Sequence, residues 1–223
     1  MASYSALIPA AGSGVRLRPF TFTRPKPLVY VAGKPILGHI LDGLAGVVEE
    51  VTVVVGYMAE KVEAYCQGSY GSRFHFNFVH QHDRQGLGHA VLQARNAVPG
   101  GGLIITLGDE IFGMGYGDML EAHRGAMPCD VSVGYKLVED PRNYGVLEMD
   151  GSGTITAMIE KPQEPTTDTA IAGAYIFEES SRLFSALQEL VDRDIRTRGE
   201  YQLTDAMVLM AEKGAVLKGF HIE

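Results

Sequence analysis

Apolar positions along the chain follow two alternating rhythms. Residues 51–55 and 103–107 are continuous apolar runs, as is the opening stretch Ala6-Leu7-Ile8, and each predicts a strand buried on both faces. Between such runs the spacing changes. Ile36, Leu37, Ile40, Leu41, Leu44 and Ala45 recur with a helical period and predict a helix over 35–45, with Pro35 in its first turn. The same reading predicts helices over 59–66 and 89–97 and a strand over 74–79. Strands and helices that alternate in this way form an α/β fold, a parallel sheet covered by helices, and ligands bind beyond the carboxyl ends of its strands. Both Gly12 and Asp109 fall at such ends.

Past about residue 128 the rhythm changes. Segments 130–138, 144–150, 154–159 and 172–177 are all strand-like with no helical pattern between them, and Asp150-Gly151-Ser152-Gly153 is a hairpin turn signal. The sheet is expected to become mixed here or to gain an antiparallel extension. Helices are predicted over 180–190 and 203–212, and an apolar run over 215–220 follows. No linker, low-complexity tract or repeat interrupts the pattern. One domain over 1–223 is expected, with one lobe over 1–127 and a second over 128–223.

Composition narrows the function. At 223 residues, 46% hydrophobic and 21% charged, the chain can build a core that needs no disulfide staple. Its formal charge of −8 argues against nucleic acid or a membrane surface as partner, since both require a basic face. Cys66 and Cys129 are the only cysteines and have no paired spacing, so no disulfide framework or thiolate zinc site is expected, and a cytoplasmic location is. No leader or membrane span is read from the pattern. Against this acidic background, Arg16, Arg18, Arg24 and Lys26 stand together with no acidic residue among them. A basic loop on an acidic protein points to a local anion, and phosphate suits exposed backbone amides plus arginine.

Ala10-Ala11-Gly12-Ser13-Gly14 leaves the first strand with little side-chain bulk, which suits either a phosphate cradle or a plain strand-exit turn. A dinucleotide fingerprint is disfavoured, because position 17 is Leu and no acidic residue follows at the distance needed to hold a ribose. Pro25 and Pro27 flank Lys26 and are expected to hold it extended, a fixed cation. Asp109, after Leu107-Gly108, places a carboxylate at the same sheet edge, suited to magnesium beside phosphates. Gln81 both donates and accepts, as reading a base edge requires, while Gly86 and Gly88 permit flat approach. His80, His82, Asp83 and His89 lack a tight ligand set for zinc. In the second lobe, Tyr144-Gly145-Val146, Glu160-Lys161-Pro162 and Arg198-Gly199-Glu200 read either as polar site groups or as a turn, a surface ion pair and a loop.

Together these motifs resemble the sugar nucleotidyltransferase family, whose members join a nucleoside triphosphate to a sugar 1-phosphate and release pyrophosphate. GSGVRLRPFTFTRPKPL is similar to the family signature G-x-G-x-R-L-x-P-x-T-x-x-x-P-K-P-L, with Val15 where Thr is commonest. LGDE, YGV, EKP and RGEYQLTDA follow in the family's order, and GLGHAV is similar to its uridylyltransferase and thymidylyltransferase branches. The resemblance implies a Rossmann-like three-layer sandwich with a mainly parallel mixed central sheet and a small antiparallel sugar-binding extension. It implies that Ala11, Gly12, Ser13 and Gly14 bind the triphosphate, with Gln81 and Gly86 on the base. Arg16 would hold the departing phosphates and Lys26 the attacked α-phosphate, while Asp109 would hold Mg²⁺. Gly145, Glu160, Lys161, Tyr175 and Arg198 would hold the sugar phosphate. Relatives also form homo-oligomers.

One departure stands out. Family members continue beyond the last apolar strand into a W-x-D-x-G-like segment whose Asp adds a second carboxylate to the metal, and this sequence ends at Phe220-His221-Ile222-Glu223 without any Trp. A truncated form, a metal completed by water and substrate oxygens, and impaired catalysis are the alternatives. The leading expectation is transfer from UTP or dTTP to a sugar 1-phosphate, glucose 1-phosphate first. A non-catalytic nucleotide-sugar-binding regulatory paralogue and a choline-phosphate cytidylyltransferase-like enzyme are the competing readings, and EKP and YGV lean away from the latter.

Overall fold

The computed structural model describes residues 3–222, so the outermost residues of the 1–223 span lie outside the described part. In chain order the elements are β1 (Tyr4–Pro9), β2 (Tyr30–Val31), β3 (Lys34–Pro35), α1 (Ile36–Leu44), β4 (Glu50–Val55), α2 (Ala59–Tyr70), β5 (His75–His80), α3 (Leu87–Gln93) and β6 (Gly102–Thr106). There follow α4 (Tyr116–Gly125), β7 (Val131–Leu137), β8 (Gly145–Met149), β9 (Ile155–Glu160), β10 (Thr169–Phe177), α5 (Ser180–Asp192), α6 (Leu203–Glu212) and β11 (Leu217–His221).

Among the described residues nine strands form one sheet, whose main path runs β11-β7-β10-β6-β1-β4-β5. The run β6-β1-β4-β5 is parallel, as is β11 beside β7, while β10 lies antiparallel between β6 and β7. β8 and β9 form an antiparallel pair attached to this sheet through β10. Both outcomes expected of the second lobe therefore occur, a mixed main sheet and an antiparallel extension.

The period of two along β1 divides the core. Leu7, with Leu103, Ile105 and Phe177, packs on one face against α3, α5 and α6. Its neighbours Ala6 and Ile8 face the other way, toward α1, α2 and α4. All six of these strand residues are buried, which makes the sheet the middle of three layers. Burial of each large aliphatic side chain contributes roughly 1.5–3 kcal/mol before conformational entropy is counted.

Three local readings change. α4 has no counterpart in the predicted elements, because its inward face, Tyr116, Met119, Leu120 and His123, contains a histidine where a hydrophobe would signal a helix. His123 is wholly buried and bonds Ser132 at 2.8 Å and Glu178 at 3.2 Å. Lys26 is not extended. It opens a 3-10 turn over Lys26–Leu28, closed by Leu28 N on the Pro25 carbonyl at 2.9 Å, because the fixed φ of Pro27 fits a turn as well as an extended strand. Finally, α2 runs on to Tyr70, whose hydroxyl bonds the Gly38 carbonyl at 3.0 Å and ties α2 to α1. Among the described residues no helix is long and apolar enough to cross a membrane.

Candidate active site

The strand ends of the parallel half converge on a cleft of about 460 Å³. Ala11 and Gly12 reach it directly after β1, Gln81 after β5, and Asp109 three residues after β6. Arg16, on a 3-10 turn over Val15–Leu17, and Lys26 complete the basic side, and Gly86, ahead of α3, lines the opposite wall. The loops are tied to the sheet by backbone bonds: Ala10 N to Val54 O and Gln81 N to Val55 O at 2.8 Å, and Gly108 N to Pro9 O at 3.2 Å.

The glycines of the first loop divide their work. A Cβ at Gly12 would meet nothing within 4 Å, so the backbone there is open to a ligand, whereas Gly14 has φ +61 and sits against Thr21 and Lys26 side chains. Gly14 therefore shapes the loop, and neither it nor Ser13 is among the lining residues.

Charge in the cleft is arranged around Asp109. Lys26 Nζ donates to Asp109 Oδ2, both side chains being about a third exposed. Arg16 makes none of the ion pairs found among the described residues, which leaves a guanidinium at the cleft with no carboxylate to neutralise it. Glu110, which sequence reasoning passed over, is pushed up to about 7 by burial, with the Asp109 charge adding and Lys136 and Lys26 opposing. Its position directly after a strand-end Asp was the available signal. Gln81 is only 7% exposed, and its amide meets His89 Nδ1 at 3.2 Å. Burial holds His89 below its ordinary value.

The second-lobe residues form a separate group. Gly145 pairs with Glu160 across β8 and β9, Glu160 accepts from Thr204 Oγ1 at 2.9 Å, and its other oxygen meets Lys161 Nζ at 3.1 Å. Arg198 donates to the Lys161 carbonyl at 2.5 Å. Lys161 and Arg198 both have left-handed backbones, φ 47 and 55, conformations that a β-carbon disfavours and that cluster at functional sites. Tyr175 is deep in β10, 4% exposed between Ile105 and Val133, and its hydroxyl is pushed well up by burial and by Glu110 and Glu160. None of these five lines the cleft. Arg84 and Glu200 do, although Arg84 was given no role in the sequence reading and Glu200 stood there only as a member of the Arg198-Gly199-Glu200 motif.

Residues 5–221 match the Nucleotidyl transferase family. The chain belongs to that family. Among this nucleotidyl transferase's relatives, the UTP–glucose-1-phosphate uridylyltransferase AglF of Haloferax volcanii is 33% identical over 98% of this chain and 88% of its own length. The bifunctional protein GlmU of Methanococcus maripaludis is 33% identical over 96% of this chain, which spans about half, 50%, of that relative's length. A solved UDP-glucose pyrophosphorylase in complex with UDP-glucose superposes with a TM-score of 0.84 and 25% identity, covering 99% of this chain and 92% of that one. The mostly parallel sheet and its antiparallel extension are those of the family's fold.

Proposed function

We propose that this nucleotidyl transferase joins a pyrimidine nucleoside triphosphate, UTP or dTTP, to a sugar 1-phosphate, with glucose 1-phosphate the first candidate, and releases pyrophosphate. The observation that carries the reading is the convergence of the open Gly12 backbone, Arg16, Lys26, Gln81 and Asp109 on one cleft. Amides at Ala11 and Gly12 receive the triphosphate, Arg16 steadies the phosphates that leave, and Lys26 faces the α-phosphate. Gln81 and Gly86 border the base. The lobe over 128–223 supplies the acceptor side, where Gly145, Glu160, Lys161, Tyr175 and Arg198 gather.

The sugar-phosphate oxygen is already ionised at neutral pH and needs no general base. It forms a bond to the α-phosphorus as the bond from that phosphorus to the pyrophosphate oxygen breaks, so the protein's contribution is alignment and charge neutralisation. Asp109, a partly exposed carboxylate at the cleft, fits a Mg²⁺ site of the kind completed by substrate phosphates and water rather than by a protein cage. Magnesium, when bound, neutralises charge on the triphosphate. Lys26, paired with Asp109, can exchange that carboxylate for a phosphate oxygen, which frees Asp109 for the cation.

Pyrophosphate release with Mg²⁺ and glucose 1-phosphate, measured with UTP, dTTP, CTP and ATP in turn, tests the proposal. Turnover with UTP or dTTP is expected. No turnover with any sugar 1-phosphate and any of the four would overturn it.

A further inference from the structure

The segment over 194–201 closes against the turn that opens α3. Tyr201 N donates to the Gln85 carbonyl at 2.8 Å, and Gly88 N donates to the Tyr201 carbonyl at 2.8 Å. Around this backbone pair, one side chain gathers the remaining contacts. Arg196 Nε donates to Asp194 Oδ1 at 2.6 Å, and a terminal nitrogen of its guanidinium meets the Tyr201 hydroxyl at 2.8 Å and Gln85 Oε1 at 3.2 Å. The guanidinium lies over the Tyr201 ring, 4.1 Å from its centroid. Tyr201 is buried, its hydroxyl donates to Asp194 Oδ1 at 2.7 Å, and its ring stacks on His89, which in turn meets Gln81. Direct contacts thus lead from Arg196 to two residues of the cleft wall, Gln81 through His89 and Gly86 through Gln85.

Arg196 does not itself line the cleft. We propose that it is a positioning residue for the nucleotide half of the site: its planar fork fixes the Gln85-Gly86 turn and the Tyr201-His89 stack, so that the wall meeting the base is set before the base arrives. A guanidinium offers several donors in a fixed fork, enough for Asp194, Tyr201 and Gln85, and stacks on a ring as well; a lysine ammonium cannot reproduce both. Without the fork, the turn keeps its backbone bonds but loses its side-chain tie, and holding it in place becomes a cost of binding.

The inference rests on the nucleotide-binding reading given above. Its test is isothermal calorimetry of UTP with Mg²⁺, alongside steady-state kinetics, for the wild type, Arg196→Met, Arg196→Lys, Gln85→Met and the Arg196→Met/Gln85→Met double variant. Loss of a charge-assisted bond of this kind is expected to weaken UTP about tenfold in Kd and KM. The kcat at saturation and the KM for glucose 1-phosphate should stay within about twofold, and the melting temperature within a few degrees. Arg196→Lys should not rescue. The double variant should lose about tenfold rather than about a hundredfold, since both changes break one shared contact. Unaltered UTP binding by Arg196→Met overturns the inference, as does a loss in the double variant that multiplies the two single losses. If the wild type binds UTP but turns nothing over, the proposed reaction fails while the binding constants still decide this inference. If the wild type binds no nucleotide, both fail.

Discussion

Gly86 offers a sharp test of how the cleft is built. Its φ is +111, and a Cβ placed there would stand 2.5 Å from the Tyr201 carbonyl oxygen, 2.8 Å from Glu200 Cβ and 2.9 Å from Tyr201 N. Two of those three atoms are backbone, so no rotamer change relieves the contact. Gly86→Ala therefore combines a backbone penalty of about 1 kcal/mol or more with overpacking of about 2 kcal/mol, and the sum is about 3 kcal/mol of stability. At the scale of this chain that corresponds to a fall in melting temperature of roughly 6–12 °C. Gly214→Ala is the control, because Gly214 also has positive φ, +85, but a Cβ there would meet nothing within 4 Å. It should cost about 1 kcal/mol. Guanidinium chloride unfolding of both variants, with the slope checked for constancy, isolates the clash as their difference. Equal losses in the two variants would refute the claim that Tyr201 is seated on the Gly86 backbone.

Lys26→Met should lower the rate of pyrophosphate release by about 10²–10³-fold and leave unfolding stability within about 1 kcal/mol, since the Lys26–Asp109 pair is about a third exposed; an unchanged rate would remove Lys26 from the reaction. His123, buried in α4, is held below its ordinary value by burial, with Glu178 opposing. The unfolded chain takes up a proton near pH 6.5 that the folded chain resists. Its contribution to stability is therefore present above that pH and lost as pH falls through the lower folded value. Urea midpoints should drop from pH 7.5 to 5.5 and drop less in His123→Gln, and parallel pH profiles would contradict this. Cys66, whose thiol burial pushes up to about 12, and the buried Cys129 should both resist a thiol reagent in the native protein and react only after denaturation. Rapid labelling of either in the native state would count against their placement.

The elements that could be read from the sequence are those in which one interaction dominates. β4 is a continuous apolar run because both of its faces are covered, and α1 keeps its period because one side rests entirely on the second core. α4 eluded the pattern because its inward face includes His123, whose polar atoms are satisfied by Ser132 in the next strand and by Glu178, fifty-five residues on. The same distinction applies in the cleft. Arg16, Lys26 and Asp109 were legible as charged residues beside strand ends, where ordinary packing gives no reason for them. Glu110, beside the cleft, was not: its place directly after a strand-end Asp is a weak signal, and the burial that sets it apart is made by the fold. Gly86 and Gly88 were read as room for a base, and Gly86 does line the cleft, but the space over both is filled by the backbone of residues 201–202, a close approach that no local sequence signal announces.

The position of β10 carries a consequence for how the chain is made. It is synthesised after all the strands of residues 1–127, yet it is the partner that covers one edge of β6, with Phe177 against Leu103 and Tyr175 against Ile105. A nascent chain that has left the ribosome only as far as residue 127 therefore presents Leu103, Ile104 and Ile105 on an open strand edge, the kind of edge that recruits other chains. The two halves share their central seam, and any division of the molecule between them would create an adhesive surface rather than two soluble parts.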